Sequence, residues 1–203
     1  ANSGSNGINL AQTGNVAGMQ GVLNLLPNGT LTTGRILGAT AANHTTHFNF
    51  NGGTLMAGAG NVAFLSAGGA KLSTQVRANG GTIDNGGFNI TIGDPLLHNT
   101  DTATDGGLVF QGIGTTLLNG VNTYNGPTRI NAGTLAGTGT IAGALTNNAR
   151  LAPGSGGVGT LTINGAITLT SNSTNIFEVN GTTLAKDLVV AGSSVTYGGV
   201  LTV

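Results

Sequence analysis

Short runs of alternating polar and apolar residues, each closed by Asn or Gly, limit what this chain can fold into. Thr160-Leu161-Thr162-Ile163-Asn164 and Ala166-Ile167-Thr168-Leu169-Thr170 alternate. So do Phe88-Asn89-Ile90-Thr91-Ile92 and, with one break, Asn175-Ile176-Phe177-Glu178-Val179. Alternation over about five residues is the pattern of a strand with one buried face. Between the runs stand Asn51-Gly52, Asn79-Gly80, Asn85-Gly86, Asn119-Gly120, Asn125-Gly126, Asn164-Gly165 and Asn180-Gly181. Asn and Gly tolerate the backbone of tight corners. A Gly-Thr-apolar signature also recurs, as in Gly29-Thr30-Leu31, Gly53-Thr54-Leu55, Gly81-Thr82-Ile83 and Gly159-Thr160-Leu161. Several copies lie roughly 20–30 residues apart, within the period range of solenoids. Helical periodicity is nearly absent; the best candidate is Val62-Ala63-Phe64-Leu65-Ser66, bounded by Gly.

Composition narrows the classes. Six Lys and Arg balance six Asp and Glu, only 6% of the 203 residues, where an average domain carries about a quarter. No basic excess exists to neutralise phosphates, which argues against nucleic-acid binding. Cys is absent, which removes disulfides, thiolate metal sites and a Cys nucleophile. No apolar run reaches the ~18 residues of a membrane helix, so no membrane insertion is expected. The opening Ala1-Asn2-Ser3-Gly4 lacks the features of a signal peptide, so any export signal is expected to have been removed. Mean hydropathy of +0.20 and apolar residues throughout argue against disorder.

An all-β chain of short strands leaves sandwich, barrel, propeller or β-helix, and the Asn-Gly pairs keep a hairpin meander in competition. Strand runs of about five residues and a core of Leu, Ile, Val and Ala favour a narrow parallel β-helix, along whose axis Asn and Thr can stack in ladders. Coils of about 22 residues predict roughly nine coils and a single rod of about 40–45 Å.

One stretch carries a specific resemblance. Asp105-Gly106-Gly107-Leu108 leads into Gly114-Thr115-Thr116-Leu117-Leu118-Asn119-Gly120-Val121-Asn122-Thr123-Tyr124-Asn125-Gly126-Pro127-Thr128-Arg129-Ile130-Asn131-Ala132-Gly133-Thr134-Leu135. This resembles the autotransporter-associated β-strand repeat. Gly137-Thr138-Gly139-Thr140-Ile141 continues the pattern. Phe50-Asn51-Gly52-Gly53-Thr54-Leu55 and Asn79-Gly80-Gly81-Thr82-Ile83-Asp84 look like earlier copies. The resemblance covers 46–203, with 1–45 as N-terminal coils of one continuous solenoid over 1–203. It implies an all-β, right-handed parallel β-helix (β-solenoid) from a secreted bacterial surface protein. Full autotransporters end in a membrane barrel that this sequence lacks, so a released fragment or a free-standing subunit is expected.

Candidate chemistry is sparse. A polysaccharide-cleaving site needs clustered carboxylates. Of Asp84, Asp94, Asp101, Asp105, Glu178 and Asp187, only Asp101 and Asp105 are close in sequence. They read as a paired site, a weak Ca²⁺ loop without the Glu an EF-hand requires, or a solvated excursion between coils; the excursion is the expectation. His44 and His47 lack a third metal ligand and read as polar surface. Gly18-Met19-Gln20-Gly21 and Gly154-Ser155-Gly156-Gly157 read as corners, since no helix follows them to hold a phosphate. Most Phe are expected inside, and Tyr124 is expected to serve the fold. Thr pairs such as Thr30/Thr32 and Thr168/Thr170 suit a solvated strand face or, as the remoter reading, an ice-binding array. No catalytic, cofactor or metal residues are assigned.

The expected function is a non-catalytic extracellular structural protein of a bacterial surface, a stalk, fibre or adhesin segment. The alternative is a polysaccharide-active enzyme or carbohydrate-binding module on the same fold. An open solenoid end invites pairing with another strand. Val200, Leu201, Thr202 and Val203 at one end, and Ile8 and Leu10 at the other, are the expected assembly residues. The partner is a second copy stacked head-to-tail into a filament, or the continuation of a longer solenoid, with surface carbohydrate a further candidate ligand.

Overall fold

The computed structural model describes residues 7–10, 18, 20–39, 44–66 and 72–203. The reading of Ala41-Ala42-Asn43 as a loop, and Met19 of the first Gly-rich corner, lie outside them. Among the described residues the structure is all β, with 25 strands and no helix. Strands pair in parallel with the strand three places on, so the chain winds through three faces per coil. One face has nine strands and one has eight; the third is split into two sheets of four. The antiparallel meander is thereby excluded: the two antiparallel bridges, Gly137 with Gly154 and Val179 with Lys186, are isolated. Nine parallel strands at ~4.8 Å spacing give a stack of about 40 Å.

The coil is not uniform. On the nine-stranded face Ile36 lies beside Leu65, 29 residues on, whereas Leu135 lies beside Leu151, 16 residues on. Leu151 to Asn175 takes 24. The 22-residue expectation averages wide and narrow coils. Core chemistry follows the width. Phe48, Phe50, Phe64, Phe110 and Tyr124 are all buried, and all precede the narrow coil. Phe48 and Phe50 meet edge to face, with ring centroids 4.8 Å apart. The narrow coil is filled by Leu135, Ile141 and Leu145, because its small cross-section has no room for rings. Phe88 departs from the other wide-coil aromatics: it sits on an exposed corner before the strand Ile90–Ile92. Val62–Ser66, the best helical candidate, lies inside the strand Asn61–Ser66.

Like stacks on like along the axis. On the eight-stranded face Leu55, Ile83, Phe110 and Ile130 form one inner column that continues through Asn147 to Leu169. The intruding Asn147 is fully buried, and its Nδ2 donates to Oδ1 of buried Asn175 at 2.9 Å. Asn175 therefore points inward and Ile176 does not, which accounts for the break in that alternation. Outer amides pair similarly: Asn49 with Asn24 at 2.7 Å, Asn79 with Asn51 at 3.0 Å, and Asn148 with Asn131 at 3.2 Å.

The split face changes hands at Asn122. The upper sheet ends at Leu96–His98 and the lower begins at Val121–Asn122. Asn122 Oδ1 accepts the Leu96 N–H at 2.9 Å, while its Nδ2 donates to the carbonyls of Gly120 and Thr140. Thr123 and Tyr124 N–H groups both donate to the Leu96 carbonyl. A side-chain amide thus replaces a ladder rung and keeps the backbone groups at the junction paired.

One position in this core is polar without compensation. Thr74 is fully buried between Phe48 and Leu96 in its column, and its hydroxyl has no hydrogen-bond partner among the described residues. Valine has the same shape without the desolvated hydroxyl. Thr74→Val is expected to raise unfolding stability by about 1 kcal/mol, seen as a higher urea midpoint with an unchanged slope. A lower midpoint would show that the hydroxyl is satisfied.

Candidate assembly surface

The strand Val200–Thr202 closes the nine-stranded face. Its register sets Val200 beside Thr174, Leu201 beside Asn175 and Thr202 beside Ile176. Its other edge carries no strand among the described residues, so its outward N–H and C=O groups are available for pairing. Val200 is 58% exposed, Leu201 59% and Val203 82%. The alternating pattern that buries one face of the strands in the coils below is lost here, because no further coil lies on top.

The strands Leu188–Ala191 and Val195–Thr196 close the other two faces at the same level. Leu188, Val190, Val195 and Tyr197 are exposed with them. Together they surround the mouth of the core, a cavity of about 230 Å³ that reaches Leu151, Leu169 and Phe177. Sequence reasoning singles out only the last four residues. The others belong to the same rung through the three-strand period, which a single alternating segment does not reveal.

Ile8 and Leu10 lie at the opposite end of the same nine-stranded face. Ile8 N–H donates to the Arg35 carbonyl at 2.8 Å and Leu10 N–H to the Leu37 carbonyl at 3.1 Å. Both side chains are half-buried. The two sets of candidate residues are therefore not one patch but the two ends of one ladder. That is the geometry of a heterologous, non-closing contact.

The other candidates separate. Asp101 is exposed and pairs with Arg77 at 3.2 Å. Asp105 is buried and accepts hydrogen bonds from the backbone N–H groups of Gly107, Asn125 and Gly126, with His98 Nδ1 at 2.8 Å. The excursion reading thus holds for Asp101 and is corrected for Asp105, which is an anchor. His44 is buried, contrary to the surface reading, while His47 is half-buried on the strand Thr45–Phe50. Among the described residues no group of three or more His, Asp or Glu converges. Asp187 is also an anchor, accepting N–H bonds from Gly159 and Glu178. Burial pushes the Tyr124 phenol well above its ordinary value.

Comparison with known proteins adds one finding. Residues 108–136 match the family model of the passenger-associated-transport-repeat. This segment runs from the strand Leu108–Gln111 to the strand Thr134–Gly137, one full winding that holds Asn122 and Tyr124. No curated protein and no solved structure matches the chain. The repeat and the parallel solenoid fit an autotransporter passenger-type repeat protein, and the repeat points to a secreted or surface protein.

Proposed function

We propose that this passenger-type solenoid is a structural segment displayed outside a bacterial cell, a stalk or fibre element, whose last rung accepts further parallel strands. The observation that carries the reading is the exposed rung made by Leu188–Ala191, Val195–Thr196 and Val200–Thr202. Three open strand edges and an uncovered apolar core mouth face one direction. A second copy that brings its first rung against them continues the ladders in register. The rod transmits tension along an axis on which successive coils are hydrogen-bonded to one another. Few Lys and Arg leave few tryptic cleavage points. Near-absence of charge lets rods lie side by side without strong repulsion. The separated acids support a non-catalytic reading over a polysaccharide-cleaving one.

Negative-stain electron microscopy and analytical ultracentrifugation of the purified chain test the stacking. Rods longer than one molecule, growing with concentration, are the expected result. Leu201→Lys places an unpaired charge at the centre of the rung and is expected to leave the circular-dichroism spectrum unchanged while abolishing the long species. A wild-type chain that stays monomeric up to its solubility limit refutes head-to-tail stacking.

A further inference from the structure

We propose that Asn180 is a self-modification site. The folded protein promotes cyclisation of Asn180 onto Gly181 and its conversion to aspartate or isoaspartate. The chain carries many Asn-Gly pairs, and the fold treats this one differently.

Three groups decide whether such a pair reacts: the Asn side-chain carbonyl, the following Gly nitrogen, and the freedom of the peptide between them. At Asn180 all three are arranged for attack. Oδ1 of Asn180 accepts N–H bonds from Thr182 at 3.0 Å and Thr183 at 2.9 Å. Two converging donors polarise Cγ and would hold the oxyanion that forms there. The Gly181 N–H has no partner among the described residues, so the nucleophile is not engaged. Gly181 is exposed, and a Cβ built on it would meet no atom within 4 Å.

The pairs inside the coils are locked at one or more of these points. Asn85 has a carbonyl of the same kind, with Oδ1 accepting from Gly87 and Gly114 N–H at 2.9 Å each. Yet Asn85 is buried, and the Gly86 N–H donates to Asp84 Oδ1 at 2.8 Å. The Gly80 N–H donates to the Arg77 carbonyl, and the Gly126 N–H to Asp105 Oδ1. Gly29 and Gly52 nitrogens are likewise engaged. Gly120 and Gly165 are packed against the main chain of the neighbouring coil, at Asp94 and at Gly143–Ala144. Asn180 escapes because it lies in an excursion outside the ladders, closed by the bridge between Val179 and Lys186.

The chemistry balances with water alone. Gly181 nitrogen loses its proton to solvent and bonds to Cγ of Asn180. The tetrahedral centre collapses, the Cγ–Nδ2 bond breaks, and nitrogen leaves as ammonia. Water then opens the five-membered imide at either carbonyl. One opening gives aspartate; the other gives isoaspartate, which adds a methylene to the main chain. Each event takes the net charge from zero to one negative. It also puts a second carboxylate beside Glu178 at the rim of an open groove of about 820 Å³, lined also by Ser155, Phe177 and Val179. The outcome is a one-way change in charge and backbone at one surface point of the rod, with its ladders untouched.

The test incubates native and urea-unfolded protein in mildly alkaline buffer at body temperature. Peptide mass spectrometry and isoaspartyl methyltransferase labelling follow each Asn-Gly pair. In native protein the Asn180 peptide is expected to gain one mass unit at least roughly tenfold faster than Asn79, Asn85 or Asn125, whose glycine nitrogens must first break a hydrogen bond. In unfolded protein the four rates converge. The proposal is overturned if any of those three keeps pace with Asn180 in the native protein. It is equally overturned if native Asn180 stays intact while the unfolded chain reacts.

Discussion

Asp105→Ala is expected to lower the unfolding free energy by about 3–5 kcal/mol, the cost of removing one member of a buried charged network. The Asp105 side chain is fully buried beside a His98 ring that is 21% exposed. Its Oδ1 accepts from Gly107 at 3.0 Å and Gly126 at 2.9 Å; its Oδ2 accepts from Asn125 at 2.9 Å and pairs with His98. The Asp105 N–H in turn donates to Asn125 Oδ1. Alanine leaves three backbone donors without an acceptor inside the protein. It also unpins the excursion 99–105 from the winding that carries the transport repeat. A Cβ cannot be added nearby to compensate: at Gly126 it would collide with Asp105 and at Gly107 with Pro127. Urea unfolding followed by circular dichroism reads the loss. Asp105→Asn keeps one acceptor but turns an NH₂ toward N–H groups, so it should recover only part of the stability. A loss below ~1 kcal/mol for the alanine variant would mean that water replaces the carboxylate freely.

Stability is expected to fall as pH rises above about 10, by about 1.4 kcal/mol per pH unit. The group responsible is Tyr124. Burial pushes its phenol well above its ordinary value, the Thr128 hydrogen bond pulls it part of the way back, and the Asp105 charge pushes it up again. Folded protein therefore keeps the proton when the unfolded chain has lost it. Fewer protons bound in the unfolded state means that stability declines with pH, beginning at the unfolded value and continuing to the folded one. The contribution is fully present below that window. Tyr124→Phe removes the titration. It loses the 2.7 Å bond to Thr128, about 1 kcal/mol at neutral pH, but should show a flat profile up to pH ~11, while the exposed Tyr197 is left in place as the control. An equal decline in both proteins assigns the effect elsewhere.

Several features are legible in the amino-acid order. The strands at Thr160–Ile163 and Ile167–Leu169 fall where alternation predicts them, because side chains on a strand alternate whatever the sheet topology. Its position in the repeat assigns Tyr124 to the fold, and it is fully buried. Other positions are not legible. Asn175 points into the core and Ile176 does not, since the deciding partner, Asn147, is 28 residues away. Asp105 reads as a solvated loop residue; apart from Gly107, its partners come from a strand before it and a corner about 20 residues after it. Alternation points to the last rung only at Leu201 and its neighbours, because Leu188, Val195 and Tyr197 join it solely through the three-strand period.

Alternation, corner residues and a small aliphatic composition, read from the amino acids alone, determined that short strands stack in parallel about a narrow core. Those signals are local: each depends on a residue and its neighbours within half a coil. Tertiary structure alone decided the coil widths, the hand-over at Asn122, the burial of Asp105 and the difference between one Asn-Gly pair and the others. Those depend on which residue one coil away supplies an acceptor, a donor or a wall. A chain whose coils vary from 16 to 29 residues does not announce that register in its order.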